Sequence, residues 1–152
     1  LEFRRVLFRS APLWPLVEQL LAAGVKPHCL RDLTRGGLAA ALQELAEAGG
    51  QALTLEEERL PVCPAVARCC ELLGLDPLHL ANEGRCLLVV APEDLEVSRA
   101  LLEPLGGGWI GEVRPSPAAL SGPAAARVLL RTPYGSERLL APQSGELLPR
   151  IC

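Results

Sequence analysis

The sequence predicts an α+β domain, and three observations carry that prediction. Apolar residues at helical spacing recur in four segments, the first three of them stopped by glycine. Short alternating or continuous apolar runs lie between and after these segments. The later runs are close enough along the chain to pair as hairpins, which favours a mixed or antiparallel sheet flanked by helices. At 152 residues, with 49% hydrophobic and 22% charged residues, the chain suits one globular domain. Such a domain buries roughly two-thirds of its unfolded surface. Disorder is excluded for most of its length.

Residues 1–10 (LEFRRVLFRS) follow neither a helical nor a strand period and read as a non-native or junctional leader. Pro12 followed by Leu13, Leu16, Val17, Leu20 and Leu21 reads as an amphipathic helix ended by Gly24. An extended link from Lys26 to Leu30 leads to Asp32-Leu33-Thr34-Arg35-Gly36-Gly37, which opens a second helix. Leu38, Leu42, Leu45 and Ala46 mark its buried face, and Gly49-Gly50 stop it. Gln51 to Glu56 alternates and reads as a strand. Val66, Cys69, Cys70 and Leu73 form the apolar face of a third helix ending at Gly74.

Leu75 to Gly84 reads as a polar-edged connection, with Asn82-Glu83-Gly84 in a loop before the strongest strand signal, Cys86 to Ala91 (CLLVVA). That run is expected to be buried. Pro92-Glu93-Asp94 opens a fourth helix reaching Leu105. Trp109 to Val113 and Arg127 to Arg131 read as strands around a Pro/Ala/Ser-rich loop, and Tyr134-Gly135 turns the chain into Glu137 to Leu140. The domain thus spans residues 11–141. Residues 142–152 are punctuated by Pro142, Gly145 and Pro149 and read as an extended, weakly anchored tail.

Charge excludes two classes of partner. Fifteen basic and eighteen acidic residues give a net charge of -3, with no block of like charge to hold nucleic acid or an anionic membrane. No apolar run approaches the roughly 18–20 residues that cross a bilayer. The sequence has no methionine, so Leu1 is not a natural start and the chain is expected to be part of a longer one.

The six cysteines, at 29, 63, 69, 70, 86 and 152, form no CxxC, and His28 and His79 fit no ligand spacing. No metal site is expected. The internal cysteines read as small buried hydrophobes in a reducing, cytoplasmic compartment. Trp14, Trp109 and Tyr134 are too scattered for a stacking surface and read as core.

Three features can do chemistry, and each has a plain structural counterpart. Cys152 is the last residue of a tail that reaches about 35 Å when extended, so its thiol can move between pockets; it is equally a frayed end. Asp32 or Thr34 can cap the second helix, while Gly36 and Gly37 leave its first turn open to an anion that Arg35 can also hold. The same residues suit an ordinary capped helix start with glycine packing. Glu83, beside Asn82 and Gly84, is a candidate general base and equally a solvated turn. Glu56-Glu57-Glu58 reads as a solvated edge.

The order of these features is more specific than any one of them. Asp32-Leu33-Thr34-Arg35-Gly36-Gly37, Leu75-Asp76-Pro77-Leu78, Ala81-Asn82-Glu83-Gly84, Ile110-Gly111-Glu112-Val113 and the terminal Leu148-Pro149-Arg150-Ile151-Cys152 closely resemble the HypE family. These are the carbamoyl dehydratases of NiFe-hydrogenase maturation, and the likeness runs from Ala11 to Cys152. It implies a carboxyl-terminal domain of the aminoimidazole ribonucleotide synthetase type. It also implies that a HypF carbamoyltransferase loads Cys152 and that ATP with magnesium drives dehydration to a thiocyanate. The HypC–HypD complex then receives the cyanide.

On that resemblance Glu83 is the general base, Asn82 orients it, and Asp32, Thr34, Arg35, Gly36 and Gly37 line a phosphate-facing cleft. Leu33 departs from the family's proline, which loosens the loop before the second helix. The half that carries most ATP and magnesium contacts and the homodimer contact is missing, so this chain alone is expected to be inactive. A non-catalytic module binding an anion or a partner is the alternative. A thiol-redox protein is disfavoured by the lack of CxxC.

Overall fold

The computed structural model describes residues 12–115 and 127–141. These residues group into two compact units. The first takes the described chain up to Arg35 together with Ala81–Trp109. The second takes Gly36–Leu80 and the described residues from Ile110 onward.

In the first unit, helix α1 (Trp14–Ala22) starts with proline in its first turn, where no N–H is needed. It packs on a later helix, Leu95–Leu102. Strand β1 (Cys29–Leu33) follows, so the expected extended link continues as a true strand through Asp32. Its antiparallel partner is the strand Asn82–Val89. Backbone N–H of Lys26 donates to Asp94 at 2.9 Å, tying the approach to β1 to the start of the Leu95–Leu102 helix. Leu20, Val25 and Leu33 form the core.

The second unit is built on a four-stranded sheet. Helix α2 (Gly37–Gly49) covers strand β2 (Ala52–Glu56), and helix α3 (Pro64–Leu73) follows a short 3₁₀ turn at Glu57–Arg59. With Asn82–Val89 as β3 and Leu95–Leu102 as α4, the remaining strands are β4 (Gly111–Arg114), β5 (Arg127–Arg131) and β6 (Glu137–Leu139). The sheet order is β4-β2-β5-β6. Strand β2 pairs antiparallel with β4 and parallel with β5, and β5 and β6 form a hairpin. Only that last pair matches the hairpin expectation; β2 inserts between the other two strands. The alternation in β5 buries Val128 and Leu130 completely.

Several expectations change here. Strand β2 is buried on both faces rather than half-exposed, because α2 covers it and both edges are paired. Strand β3 is half-buried rather than buried, because its sheet has only two strands. On α3 only Cys70 is buried; Val66, Cys69, Leu72 and Leu73 are exposed, so the expected apolar face is not a core face. Tyr134 at 95% and Trp14 at 63% exposure are surface residues. Leu33 is buried within β1, so it anchors the segment that its replacement of proline was expected to loosen. The leader, the 116–126 loop and the 142–152 tail lie outside the described residues. No helix among the described residues is long and apolar enough to cross a membrane.

Candidate functional site

The β1/β3 ribbon brings the first-unit candidates to one end. Asp32 pairs with Cys86, and the next residue, Leu33, pairs with Asn82. One step along β1 therefore corresponds to four along β3, and Glu83, Gly84 and Arg85 form a bulge between the two pairs. Gly84 has φ +78°, which a side chain would resist, so glycine permits the bulge. Asn82-Glu83-Gly84 is thus the opening of a strand rather than a loop before it. The local sequence concealed this, because glycine in a bulge reads as a turn signal. Glu83 is exposed and Asn82 half-buried.

Asp32 is held from two sides. The Thr34 hydroxyl donates to one carboxylate oxygen, and Arg31 Nη1 lies 3.2 Å from the other. The Thr34 hydrogen bond holds the Asp32 carboxyl below the usual carboxylate range, with Arg31 contributing. Asp32 and Thr34 therefore engage each other and neither caps α2, which corrects the capping expectation. The residue preceding α2 is Gly36, and the helix has no side-chain cap and no acidic residue in its first turn. Its leading N–H groups are left to backbone or ligand partners.

Gly37 has a different role from the one expected. It is buried at φ +61°, and a Cβ there would stand 2.7 Å from the carbonyl oxygen of Leu78, with the Leu80 carbonyl closer still. The space beside its Cα is filled by the protein's own backbone, so an anion cannot approach from that side. Arg35 is exposed. Cys152 lies outside the described residues.

In the sequence Asp76 stands out only within Leu75-Asp76-Pro77-Leu78. In the structure its carboxylate accepts the N–H of Leu78 at 2.9 Å and caps the 3₁₀ turn Pro77–His79. An aspartate directly before proline is the signal that reveals it.

A cavity of about 440 Å³ lies in the second unit. Leu130 and Leu78 give it apolar walls, and Asp76, Glu57 and Arg138 supply its polar groups. It contains none of the residues singled out for chemistry. Glu57 and Arg138 are 3.1 Å apart, and Glu56 lies 2.7 Å from Arg131, so the expected solvated edge is partly an ion-paired one. Among the described residues no cluster of three metal-ligating side chains occurs. The described cysteines are free thiols, and their burial varies: Cys70 is buried, Cys29, Cys63 and Cys86 are intermediate, and Cys69 is exposed.

Known proteins resemble this chain in sequence and in fold. The family described as AIR synthase related protein, C-terminal domain, matches residues 8–119. Carbamoyl dehydratase HypE of Rhodobacter capsulatus is 43% identical over 147 residues, covering 93% of this chain and 41% of the relative. The Bradyrhizobium diazoefficiens protein of the same name is 44% identical over 148 residues, covering 94% and 41%. A crystal structure of hydrogenase maturation protein HypE superposes with a TM-score of 0.84 at 38% identity, over 93% of this chain and 45% of that one.

HypE in complex with ATP gives a TM-score of 0.80 at 39% identity, over 91% and 42% of the two chains. A HypE–HypF complex gives 0.76 at 34% identity, over 88% and 42%. The chain spans about 41% of the length of the curated relatives it matches. It belongs to the AIR synthase related protein, C-terminal domain family, and within that family it is similar to HypE over 93% of its length.

Proposed function

We propose that this chain is the carboxyl-terminal part of a carbamoyl dehydratase in which Cys152 carries the one-carbon unit. The observation that carries the reading is the 43% identity to a carbamoyl dehydratase over 93% of the chain, in a sequence that ends in the HypE-like Pro-Arg-Ile-Cys. A HypF-type carbamoyltransferase esterifies the Cys152 thiol to a thiocarbamate; the HypE–HypF complex supports that partner. The whole protein then phosphorylates the thiocarbamate oxygen with ATP, as HypE in complex with ATP supports. Loss of both amide protons and departure of the oxygen within phosphate leave a thiocyanate, whose cyanide passes to a HypC–HypD acceptor.

Each residue has a task in this scheme. The amide protons become acidic only once the oxygen is a leaving group, so a placed base is required. Glu83, exposed on the β3 bulge, is that base, and Asn82 at the strand's first position orients it. Asp32 and Thr34 form the polar floor opposite the bulge. Arg35, and Gly36 at the uncapped start of α2, face phosphate, while Gly37 seats that turn against the Leu78 and Leu80 carbonyls. Magnesium and most ATP contacts, like the homodimer contact, belong to the remainder of the protein, so this chain alone does not turn over. The carrier must be a free thiol, which suits a reducing cytoplasm.

Removing Cys152, or adding one residue after it, tests the reading. A maturation enzyme loses carbamoyl acceptance or onward transfer while the body stays folded. Unchanged behaviour in both variants points instead to a module that binds an anion or a partner without chemistry.

A further inference from the structure

We propose that Asp76 is a positioning residue: its carboxylate fixes the turn on which the amino end of α2 is seated, and so places the Gly36–Gly37 backbone. Pro77 has no N–H and a fixed φ, which suits the first position of the 3₁₀ turn. The Asp76 carboxylate takes the Leu78 N–H at 2.9 Å, while the backbone N–H groups of His79 and Leu80 donate to the carbonyls of Asp76 and Pro77 at 3.1 and 3.3 Å. Every N–H of the turn is thereby committed, and its carbonyls point where the geometry directs them.

The carbonyls of Leu78 and of Leu80, the residue after the turn, occupy the space that a Cβ on Gly37 would need. The buried Leu78 side chain holds the turn in place beneath α2. Only glycine fits at that contact, so the helix start and the turn are matched surfaces. The chain entering the seat is Thr34-Arg35-Gly36, and the chain leaving it is Ala81-Asn82-Glu83. The first turn of α2, at Gly36 and Gly37, is therefore seated on one hydrogen-bonded turn. Glu57, Arg138 and Cys70 are the other ionisable groups around Asp76, and none of them can replace its bond to Leu78.

The importance of this positioning rests on the reading of those segments as the site, but the test does not. It compares Asp76→Ala, Asp76→Asn and Asp76→Glu in the 152-residue chain by amide hydrogen exchange at Gly37 and Leu38. Asparagine keeps an acceptor at the same reach, whereas glutamate keeps the charge and misplaces it.

Asp76→Ala and Asp76→Glu should speed exchange about tenfold. Asp76→Asn should match the parent. If Asp76→Ala does not fold, the Asp76→Glu and Asp76→Asn pair carries the same comparison. Unchanged exchange in Asp76→Glu, or an Asp76→Asn variant that exchanges as fast as Asp76→Glu, overturns the proposal. Failure of Cys152 carbamoylation would refute the functional reading and leave this result standing.

Discussion

The carbonyl oxygens of Leu78 and Leu80 occupy the space that a side chain on Gly37 would need. Gly37 also sits at φ +61°, so two costs coincide there. Gly37→Ala should destabilise the fold by about 3 kcal/mol, combining left-handed backbone strain with overpacking against backbone that cannot retreat. Gly106, at φ +76° with nothing within 4 Å of its added Cβ, isolates the first cost. Gly106→Ala should lose only about 1 kcal/mol. Urea denaturation of both variants measures the difference, and equal losses would refute the packing argument.

Thr54 is 1% exposed in the central strand, and its hydroxyl has no hydrogen-bond partner. Thr54→Val keeps the shape, removes an unsatisfied polar atom and suits a strand. It should stabilise the chain by about 1 kcal/mol. A lower melting temperature would show that the hydroxyl has a partner that matters.

Arg131 lies 2.7 Å from Glu56, its register partner across the parallel β2/β5 pair, and 3.0 Å from Glu137 on β6. At 28% and 22% exposure the Arg131–Glu56 pair is partly shielded, whereas Arg138 and Glu57 are 49% and 37% exposed. Double-mutant cycles should give a larger coupling for the first pair than for the second. Equal coupling energies would contradict this ranking.

Acid should act through Asp32. Its carboxyl is lowered in the folded chain, so the stabilisation it gives is present above the ordinary carboxylate range and is lost as the pH falls through its folded value. Thr34→Val removes the largest cause and should flatten that part of the acid limb of the stability curve. A limb identical to the parent's would contradict the assignment.

Alkali should act through the thiols. Burial pushes Cys70 and Cys86 up, so their stabilisation is complete below the ordinary thiol range and is lost as the pH rises through it. In timed alkylation, Cys69 should react before Cys86, and Cys70 only on unfolding. Early modification of Cys70 would place it outside the core.

How far the sequence revealed this structure depends on the range of the interactions involved. Helix α2 was legible because its apolar spacing and Gly49-Gly50 are local, and β5 because Val128 and Leu130 alternate with arginines. The parallel pairing of β2 with β5 was not, since its partners are more than seventy residues apart. Glu83 reads as a loop residue in the sequence and lies in a strand, because a three-residue bulge and a turn share the same glycine signature. The seat under Gly37 was hidden for the same reason: its contacts come from Leu78 and Leu80, which no local pattern connects to it.

The most direct test of the account uses the intact mass of this chain after incubation with a HypF-type carbamoyltransferase, carbamoyl phosphate and ATP, followed by mapping of the modified peptide. One added carbamoyl group is expected, confined to the peptide ending in Cys152 and absent when Cys152 is replaced by serine. An unmodified chain, or a carbamoyl group on any other residue, would contradict it.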